Sequence, residues 1–291
     1  MITYTSLNDY CLSNFGKKLY KLTVDGGFTC PNRDGTCGTK GCVFCSADGS
    51  GAFAEKGKNI TQQLENAISR IASKKPQGYI AYFQAFTNTY APVDVLRERF
   101  LCAIRFPDVQ VLDIATRPDC LGEDVLDLLE ELNKIKPVWV ELGLQTSKEE
   151  SVQYIRRGYE NEVYLQAVKN LKNRGIYCVT HLILGLPAET EEDMKNSLQF
   201  ALDAGTDAVK LQLLHILKDT DLANDFLAGK FEALTMEEYI RLLTVLLPMI
   251  PKEVSVHRMT GDGDKKQLIA PMWSADKKRV LNAIRKALEE K

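Results

Sequence analysis

Four cysteines lie close together near the amino end of the chain, at Cys30, Cys37, Cys42 and Cys45. Cys42 and Cys45 form a C-x2-C pair, and eleven residues separate Cys30 from this pair. The glycines between them allow the loop to fold back so that the thiolates converge. Thiolates are the soft ligands that iron–sulfur clusters and zinc select. The spacing therefore predicts a metal or cluster site in this loop.

Two kinds of site compete for the cysteine loop. A structural zinc ion takes four ligands, and Cys37 offers a fourth thiolate beside the other three. Such zinc sites usually pair two C-x2-C knuckles, whereas this loop has one. Three cysteines suit a four-iron cluster whose remaining iron is open to a substrate. The spacing alone leaves a redox enzyme and a zinc-stabilised binding module as alternatives.

The composition is that of an ordinary globular chain: 291 residues, 45% hydrophobic and 26% charged, which excludes a disordered protein. Its 37 basic and 39 acidic residues give a net charge of −2, which excludes a globally basic nucleic-acid binder. The amino-terminal segment lacks the apolar core of a signal peptide, and no apolar run approaches the ~20 residues of a membrane helix. We therefore expect a cytoplasmic protein with reduced thiols and no membrane partner.

Strand-like and helix-like segments alternate along most of the chain. The predicted strands are residues 18–25, 79–86, 109–116, 137–145, 176–185 and 207–217. The predicted helices are residues 60–74, 93–105, 122–134, two stretches ending near 174, 189–205, 235–249 and 275–290, with a short extended segment at 254–258. Six strand–helix alternations predict a parallel sheet with right-handed crossovers, either an open doubly wound sheet or an incomplete barrel.

Polar residues on one face of several predicted strands favour the barrel. Residues two apart in a strand point the same way, so each polar set shares a face. These residues are Tyr82, Gln84 and Asn88, then Glu141 and Gln145, then Lys210 and Gln212. They suggest a partly wet lumen that holds a polar ligand at the carboxyl ends of the strands. We predict an α/β fold, a partial (β/α)6 TIM-like barrel over residues 1–220, with a C-terminal extension over residues 221–291 packed on it.

Seven short motifs, taken together and in order, are specific. They are CPNRDGT, YFQAFTNTYAP, TRPDCL, VELGLQT, RRGY, HLILGLPAET and HRMTGDG. The set resembles the YhcC/YtqA-type radical SAM proteins, relatives of the radical SAM domain of the Elongator catalytic subunit. The resemblance covers the chain from about Leu7 to Lys286, and it implies a [4Fe–4S] cluster and S-adenosyl-L-methionine as cofactors. It also implies Cys30, Cys42 and Cys45 as the cluster ligands and leaves Cys37 outside them.

Further site residues follow from the same resemblance. It implies that Phe44 covers the adenine of the cofactor and that Gln84 stands where many radical SAM enzymes have a Gly-Gly-Glu. Arg157 is expected to pair with the cofactor carboxylate. The implied cofactor-binding set is Phe44, Gln84, Thr116, Glu141, Gln145 and Arg157. The candidates for catalysis are His181, His257, Arg258 and Asp262.

The resemblance implies a substrate as well. Relatives are linked to the wobble uridine of tRNA, where a carboxymethylaminomethyl side chain becomes aminomethyl. A tRNA partner and an electron donor such as flavodoxin or ferredoxin are then expected. Lys265 and Lys266, and the basic residues of 277–286, suit phosphate contacts but equally suit a solvated helix face. A radical SAM enzyme with a small-molecule or protein substrate is the alternative, and the net charge suits it.

Replacing Cys37 by alanine should leave the cluster intact, because the three-ligand interpretation does not use this thiol. The matched change Cys42→Ala should abolish iron binding, since it removes one of three ligands. Iron content and the visible spectrum after anaerobic purification measure both. Loss of iron from Cys37→Ala, or a colourless wild-type protein with one zinc ion, would show the ligand set to be wrong.

Overall fold

The computed structural model describes residues 3–47, 49, 54–55, 57, 59–261 and 265–290. Within these ranges it contains ten strands and ten α-helices. Asp262, one of the predicted catalytic candidates, lies outside the described residues. None of the helices described is both long and apolar enough to cross a bilayer.

The strands form one large sheet and one small one. They are β1 (Thr5–Ser6), β2 (Tyr20–Val24), β3 (Tyr79–Phe83), β4 (Val109–Thr116), β5 (Val138–Gln145), β6 (Tyr177–Leu184), β7 (Ala208–Leu213), β8 (Ile216–Leu217), β9 (Ser255–Arg258) and β10 (Leu268–Ala270). Eight of them pair in the order β1-β9-β7-β6-β5-β4-β3-β2, and every neighbouring pair is parallel. This sheet curls into a half-barrel, which confirms the predicted partial barrel. β8 and β10 form a separate antiparallel pair.

Helices cover the outer face of the half-barrel. They are α1 (Leu7–Phe15), α2 (Ile60–Ile71), α3 (Val93–Ile104), α4 (Glu123–Asn133), α5 (Glu149–Tyr154), α6 (Asn161–Asn173), α7 (Glu191–Asp203), α8 (Asp221–Leu227), α9 (Met236–Leu246) and α10 (Lys277–Glu289). The segments from α2 to α7 join consecutive strands from β2 to β7, so each strand–helix–strand unit follows the predicted alternation.

Strand β5 shows how the sheet separates an apolar exterior from a polar lumen. Val140 and Leu142 point outward into the core shared with the helices. Trp139 and Glu141 alternate with these residues along the strand and point into the lumen. There Glu141 contacts side chains from other strands. The two-residue period therefore places every polar group of this strand on the concave side.

The turn after β6 leads directly into α7, as the sequence predicted. Gly185 begins the turn with a φ of +89°, a backbone conformation that favours glycine. Thr190 then caps the helix: its hydroxyl accepts a hydrogen bond from the Asp193 amide at 3.2 Å, and the Asp193 carboxylate accepts one from the Thr190 amide at 2.8 Å. This reciprocal capping box defines the helix start.

The structure differs from the prediction in one segment and adds a pairing partner to another. The single strand predicted over 207–217 is wrong, because β7 ends at Leu213 and β8 leaves the sheet to pair with β10. The extended segment predicted at 254–258 is β9, which joins the large sheet with Ser255 opposite Ala208 of β7. Both outcomes depend on partners far away in the chain, which local hydrophobicity does not reveal. The short elements α1, α8, β1 and β10 were also not predicted.

Aromatic side chains close the lumen at the amino ends of β5 and β6. Trp139 and Tyr177 lie 5.1 Å apart between ring centroids, and Tyr10 of α1 packs on both of them. His257 of β9 lies against the same pair, 5.2 Å from Trp139. Because this end is filled, a ligand site has room only toward the carboxyl ends of the strands.

Candidate active site

The cysteine loop follows β2 and lies at the open, carboxyl end of the half-barrel. Cys30, Cys42 and Cys45 all line one cavity of about 270 Å³ there. Cys37 is exposed and lies on a different groove, together with Cys120. The structure thus brings together the three cysteines that the resemblance implied and separates the fourth.

Backbone hydrogen bonds hold the loop in this shape. The Arg33 amide donates to the Cys30 carbonyl at 2.8 Å, and the Cys45 amide donates to the Cys42 carbonyl at 3.0 Å. The side chain of Asn32 donates to the carbonyl of Arg156 at 2.6 Å and contacts the Cys42 sulfur at 3.6 Å. Asn32 therefore connects the loop to the segment after α5.

The surroundings of Cys42 and Cys45 shift the pKa values of their thiols in opposite directions. A hydrogen bond from Cys45 lowers the pKa of Cys42 to about 7, and the positive charges of Arg117 and Arg33 act in the same direction. The same hydrogen bond and burial raise the pKa of Cys45. Of the two, Cys42 is the cysteine whose surroundings favour thiolate, the form in which cysteine binds a metal or cluster.

The donor set fits a cluster better than a single zinc ion. In a [4Fe–4S] cluster each cysteine binds a different iron, so three thiols around a cavity mouth suffice. The zinc alternative relied on Cys37 as a fourth ligand, and this residue faces another groove.

Nearly all the other predicted site residues line the same cavity. They are Phe44, Gln84, Thr116, Glu141, Gln145, Arg157, His181 and Arg258. His257 belongs to the aromatic layer at the opposite end instead, where Trp139 and Tyr177 flank it. Asn88, predicted on the lumen face, follows β3 and bridges strand ends, donating to the Phe83 and Ala115 carbonyls at 3.2 and 2.8 Å.

A buried layer of charged groups forms the floor of the cavity, with Glu141 at its centre. The Glu141 carboxylate accepts hydrogen bonds from Lys21 of β2 at 2.8 Å, from Tyr82 of β3 at 2.6 Å and from Lys210 of β7. His181 of β6 lies 2.7 Å from the same carboxylate. Lys21 also pairs with Asp113 of β4 at 2.5 Å. Five strands besides that of Glu141 therefore contribute to this layer.

Burial and neighbouring charge set the protonation of the floor. Burial alone would raise the pKa of Glu141, but the charges of Lys21 and Lys210 outweigh it and hold this pKa well below its usual range. Burial lowers the pKa of Lys210 to about 7, and burial with the charge of Glu141 raises the pKa of Asp113 to about 7. Glu141 is therefore the carboxylate of the floor that its surroundings hold in the ionised form.

Lys21 and Asp113 are floor residues that the sequence reasoning missed. Each is the only charged residue of its strand. The alternation that identified Glu141 applies equally to Asp113, since Leu112 and Ile114 on either side of it pack in the outer core.

The end of β5 is shaped by a glycine. Gln145 has a φ of +62°, and its amide folds back to donate to the carbonyls of Gly143 and Leu144 at 3.2 and 3.0 Å. A Cβ on Gly143 would lie 2.2 Å from the nearest atom of the Gln145 side-chain amide. Glycine at this position is therefore what admits the Gln145 side chain to the cavity wall.

Arg157 is buried and fully engaged with the protein. Its guanidinium donates to the carbonyls of Leu144, Thr146 and Tyr159 at 2.8–3.0 Å and to the Asn161 side chain at 2.9 Å. The five N–H groups are thus used to hold the loop after β5. A cofactor carboxylate, the expected partner, would have to displace these acceptors, so the geometry gives Arg157 a structural role.

Two family models match the chain along most of its length. The radical SAM superfamily model matches residues 33–201, more than half of the chain, and the radical SAM C-terminal domain model matches residues 206–290. The chain belongs to the radical SAM superfamily. Radical SAM enzymes use a [4Fe–4S] cluster and S-adenosyl-L-methionine, and both cofactors are assigned to this enzyme. The first match begins after Cys30, so the choice of ligands depends on the loop geometry.

Individual relatives agree with the superfamily. YtqA of Bacillus subtilis is 45% identical over 290 residues, covering 99% of this chain and 90% of YtqA, which confirms the YtqA-type resemblance. A tRNA uridine(34) acetyltransferase of Methanocaldococcus jannaschii is 29% identical over 154 residues, 52% of this chain and 28% of that protein. The archaeal Elp3 of Methanocaldococcus infernus, with its N-terminus deleted, superposes with a TM-score of 0.71 over 94% of this radical SAM chain and 63% of its own; at 18% identity this shows the shared fold.

Glu141→Gln should lower the free energy of unfolding at pH 7 by about 3–5 kcal/mol, because it leaves the buried Lys210 and the partly buried Lys21 without their main counter-charge. The pKa of Glu141 is lower in the folded state, so its ionised form adds stability above its unfolded pKa. That stability is lost as the pH falls, and the difference between wild type and variant should shrink below about pH 4.5. Urea unfolding at pH 7 and at pH 4 measures it.

A matched control is Glu131→Gln, which removes an exposed carboxylate that pairs with Arg97 at 2.6 Å. It should change stability little, since exposed ion pairs contribute little. Equal losses in the two variants, or a loss in Glu141→Gln that stays constant at acid pH, would contradict the ionised floor.

Proposed function

We propose that this radical SAM enzyme modifies the wobble uridine of tRNA, converting a carboxymethylaminomethyl side chain to aminomethyl. A 5′-deoxyadenosyl radical would take one hydrogen atom from the CH2 group beside the carboxylate, and the substrate would return one electron to the cluster. Water would then hydrolyse the resulting imine, so that the two carbons leave as glyoxylate. The observation that carries the proposal is the match of 154 residues to a relative named as a tRNA uridine(34) acetyltransferase. The two proteins share about half of this chain and a smaller part of the relative. We take the shared part to indicate a common substrate, and we do not transfer the acetylation reaction to this chain.

We further propose Cys30, Cys42 and Cys45 as the cluster ligands. Their convergence at one cavity and the thiolate-favouring surroundings of Cys42 support this assignment. When bound, the cluster supplies the electron that cleaves S-adenosyl-L-methionine to a 5′-deoxyadenosyl radical. The reductant would be a small electron carrier such as flavodoxin or ferredoxin.

The residues of the chain would position the reactants and keep water out. Phe44 and Ile183 give the cavity apolar walls near the cysteines. Gln84, Thr116 and Gln145 offer polar groups at the ends of three neighbouring strands, where the cofactor would be held. An enclosed site of this kind protects a carbon radical from side reactions with solvent.

A surface for RNA is supported by the position of two lysines. Lys265 and Lys266 are exposed in the segment between β9 and β10. β10 pairs with β8, which follows the carboxyl end of β7, so these lysines lie at the same end of the barrel as the cavity. Phosphate contacts by lysines near the cavity would hold the anticodon loop over it.

A small-molecule or protein substrate is the second candidate. The net charge of −2 and the cavity of about 270 Å³ favour it, because a small ligand needs no extended basic surface. The following experiments separate the two substrates.

A strain that lacks the gene should accumulate carboxymethylaminomethyl-uridine at the wobble position and lose the aminomethyl products. Mass spectrometry of nucleosides from purified tRNA measures both species. The wild-type gene should restore the profile, whereas Cys45→Ala should fail to restore it. A nucleoside profile that does not respond to deletion would rule out the tRNA substrate.

Lys265→Glu/Lys266→Glu should weaken binding of an anticodon stem–loop about tenfold or more at low salt and reduce the salt-dependence slope by about 1.5. Fluorescence anisotropy under anaerobic conditions, at several salt concentrations, measures both quantities. The control Lys134→Glu/Lys169→Glu makes the same charge change at exposed sites, after α4 and on α6. Equal weakening by the two pairs would indicate a general charge effect and contradict a specific surface.

A further inference from the structure

A chain of hydrogen bonds runs from the floor of the cavity up its wall and ends at Gln212. His181 of β6 lies with its Nε2 atom 2.7 Å from the Glu141 carboxylate. Its other ring nitrogen, Nδ1, lies 3.1 Å from the side-chain amide nitrogen of Gln212 on β7. Both His181 and Gln212 line the cavity.

The charge on Glu141 determines which nitrogen of His181 carries hydrogen. The Glu141 carboxylate already receives N–H and O–H groups from Lys21, Tyr82 and Lys210 and is an acceptor only. His181 Nε2 must therefore donate to it. Burial and the charge of Lys210 lower the pKa of His181 to about 4, so the ring is neutral near pH 7 and Nδ1 is an acceptor.

The orientation of the Gln212 amide follows directly. Its NH2 group must point to His181 Nδ1, because only a donor satisfies an acceptor there. The Gln212 carbonyl oxygen and its second N–H have no hydrogen-bond partner among the described residues, and the side chain is only partly buried. The Gln212 side chain thus presents its carbonyl oxygen as an acceptor and its second N–H as an adjacent donor on the cavity wall. The bond to His181 fixes which of the two positions is the oxygen.

An adjacent acceptor and donor recognise a planar group with the complementary pair. A glutamine amide makes such a two-point contact with a nucleobase edge. Uracil carries an N–H group at N3 with a carbonyl on each side, so its imide edge matches Gln212. Adenine carries a donor–acceptor edge as well, which makes the adenine of S-adenosyl-L-methionine the competing ligand.

We propose that Gln212, oriented by His181, reads the imide edge of the substrate uracil, accepting from N3–H and donating to the neighbouring carbonyl. This inference rests on the proposed tRNA substrate and adds the residue that selects the base. Gln212 would act in binding, and His181 would act through it as a positioning residue.

The test compares two anticodon stem–loops that carry 5-carboxymethylaminomethyluridine at the wobble position, one of them methylated at N3. Methylation removes the hydrogen that the Gln212 carbonyl accepts. Anaerobic anisotropy with the cluster-loaded enzyme and S-adenosyl-L-methionine should give about tenfold weaker binding of the methylated RNA to wild type. In Gln212→Ala and in the similarly sized Gln212→Met, the two RNAs should bind within about twofold of each other.

Two further variants refine the comparison. Gln166→Ala, an exposed position on α6, should keep the wild-type ratio. His181→Phe keeps a ring but loses Nδ1, so the amide can turn over and the ratio should fall to about three. The affinity for S-adenosyl-L-methionine should stay within about twofold of wild type in both Gln212 variants, which a general loss of structure would not allow.

Several outcomes would overturn the inference. A wild-type enzyme that binds both RNAs equally would disprove uracil reading while leaving the tRNA substrate in place. A ratio unchanged in the Gln212 variants would do the same, and a tenfold loss of S-adenosyl-L-methionine affinity would assign the amide to the adenine. An unchanged ratio in His181→Phe would remove the positioning role. Absence of any RNA binding by wild type would reject the proposed function and this inference together.

Discussion

The ionised carboxylate of Glu141 is buried at the centre of the half-barrel, and the surrounding structure compensates its charge. Removing an ion from water costs several kcal/mol unless charge and hydrogen bonds replace the lost solvent. Lys21, Tyr82, His181 and Lys210 supply them, each from a different strand. Strands β2, β3, β6 and β7 are thereby connected to β5 across the lumen. The curl of the sheet and the burial of this charge are therefore mutually dependent.

The charged layer also divides the lumen into two regions with different properties. Below it, Trp139 and Tyr177 pack with aromatic neighbours and leave no room for a ligand. Above it, the cavity has a floor of hydrogen-bonded groups and a rim that contains the cysteine loop. The Glu141 carboxylate at the centre of the floor already has its hydrogen-bond partners, and such preorganisation favours both binding and catalysis.

Regular alternation explains how far the fold and the site were predictable. Strands β2 to β7 and the helices between them follow from local patterns, and so does the lumen position of Glu141. Asp113 obeys the same pattern but was missed, because no second polar residue lies on the same face of its strand. The end of β7 at Leu213 was not predictable, since the residues that follow pair with β10, more than fifty residues later. Pairing with a distant segment leaves no local trace.

The sequence by itself determined the superfamily, the cysteine spacing and the direction in which strand side chains point, because each of these depends on residues that are neighbours in the chain. Only the tertiary structure shows that Cys30, Cys42 and Cys45 line one cavity and that Cys37 lines another groove. It also shows that the N–H groups of Arg157 donate to backbone carbonyls and that His257 packs against aromatic rings. The conformation of a loop depends on contacts with remote segments, such as the bond from Asn32 to the carbonyl of Arg156. Those contacts exist only in the folded half-barrel.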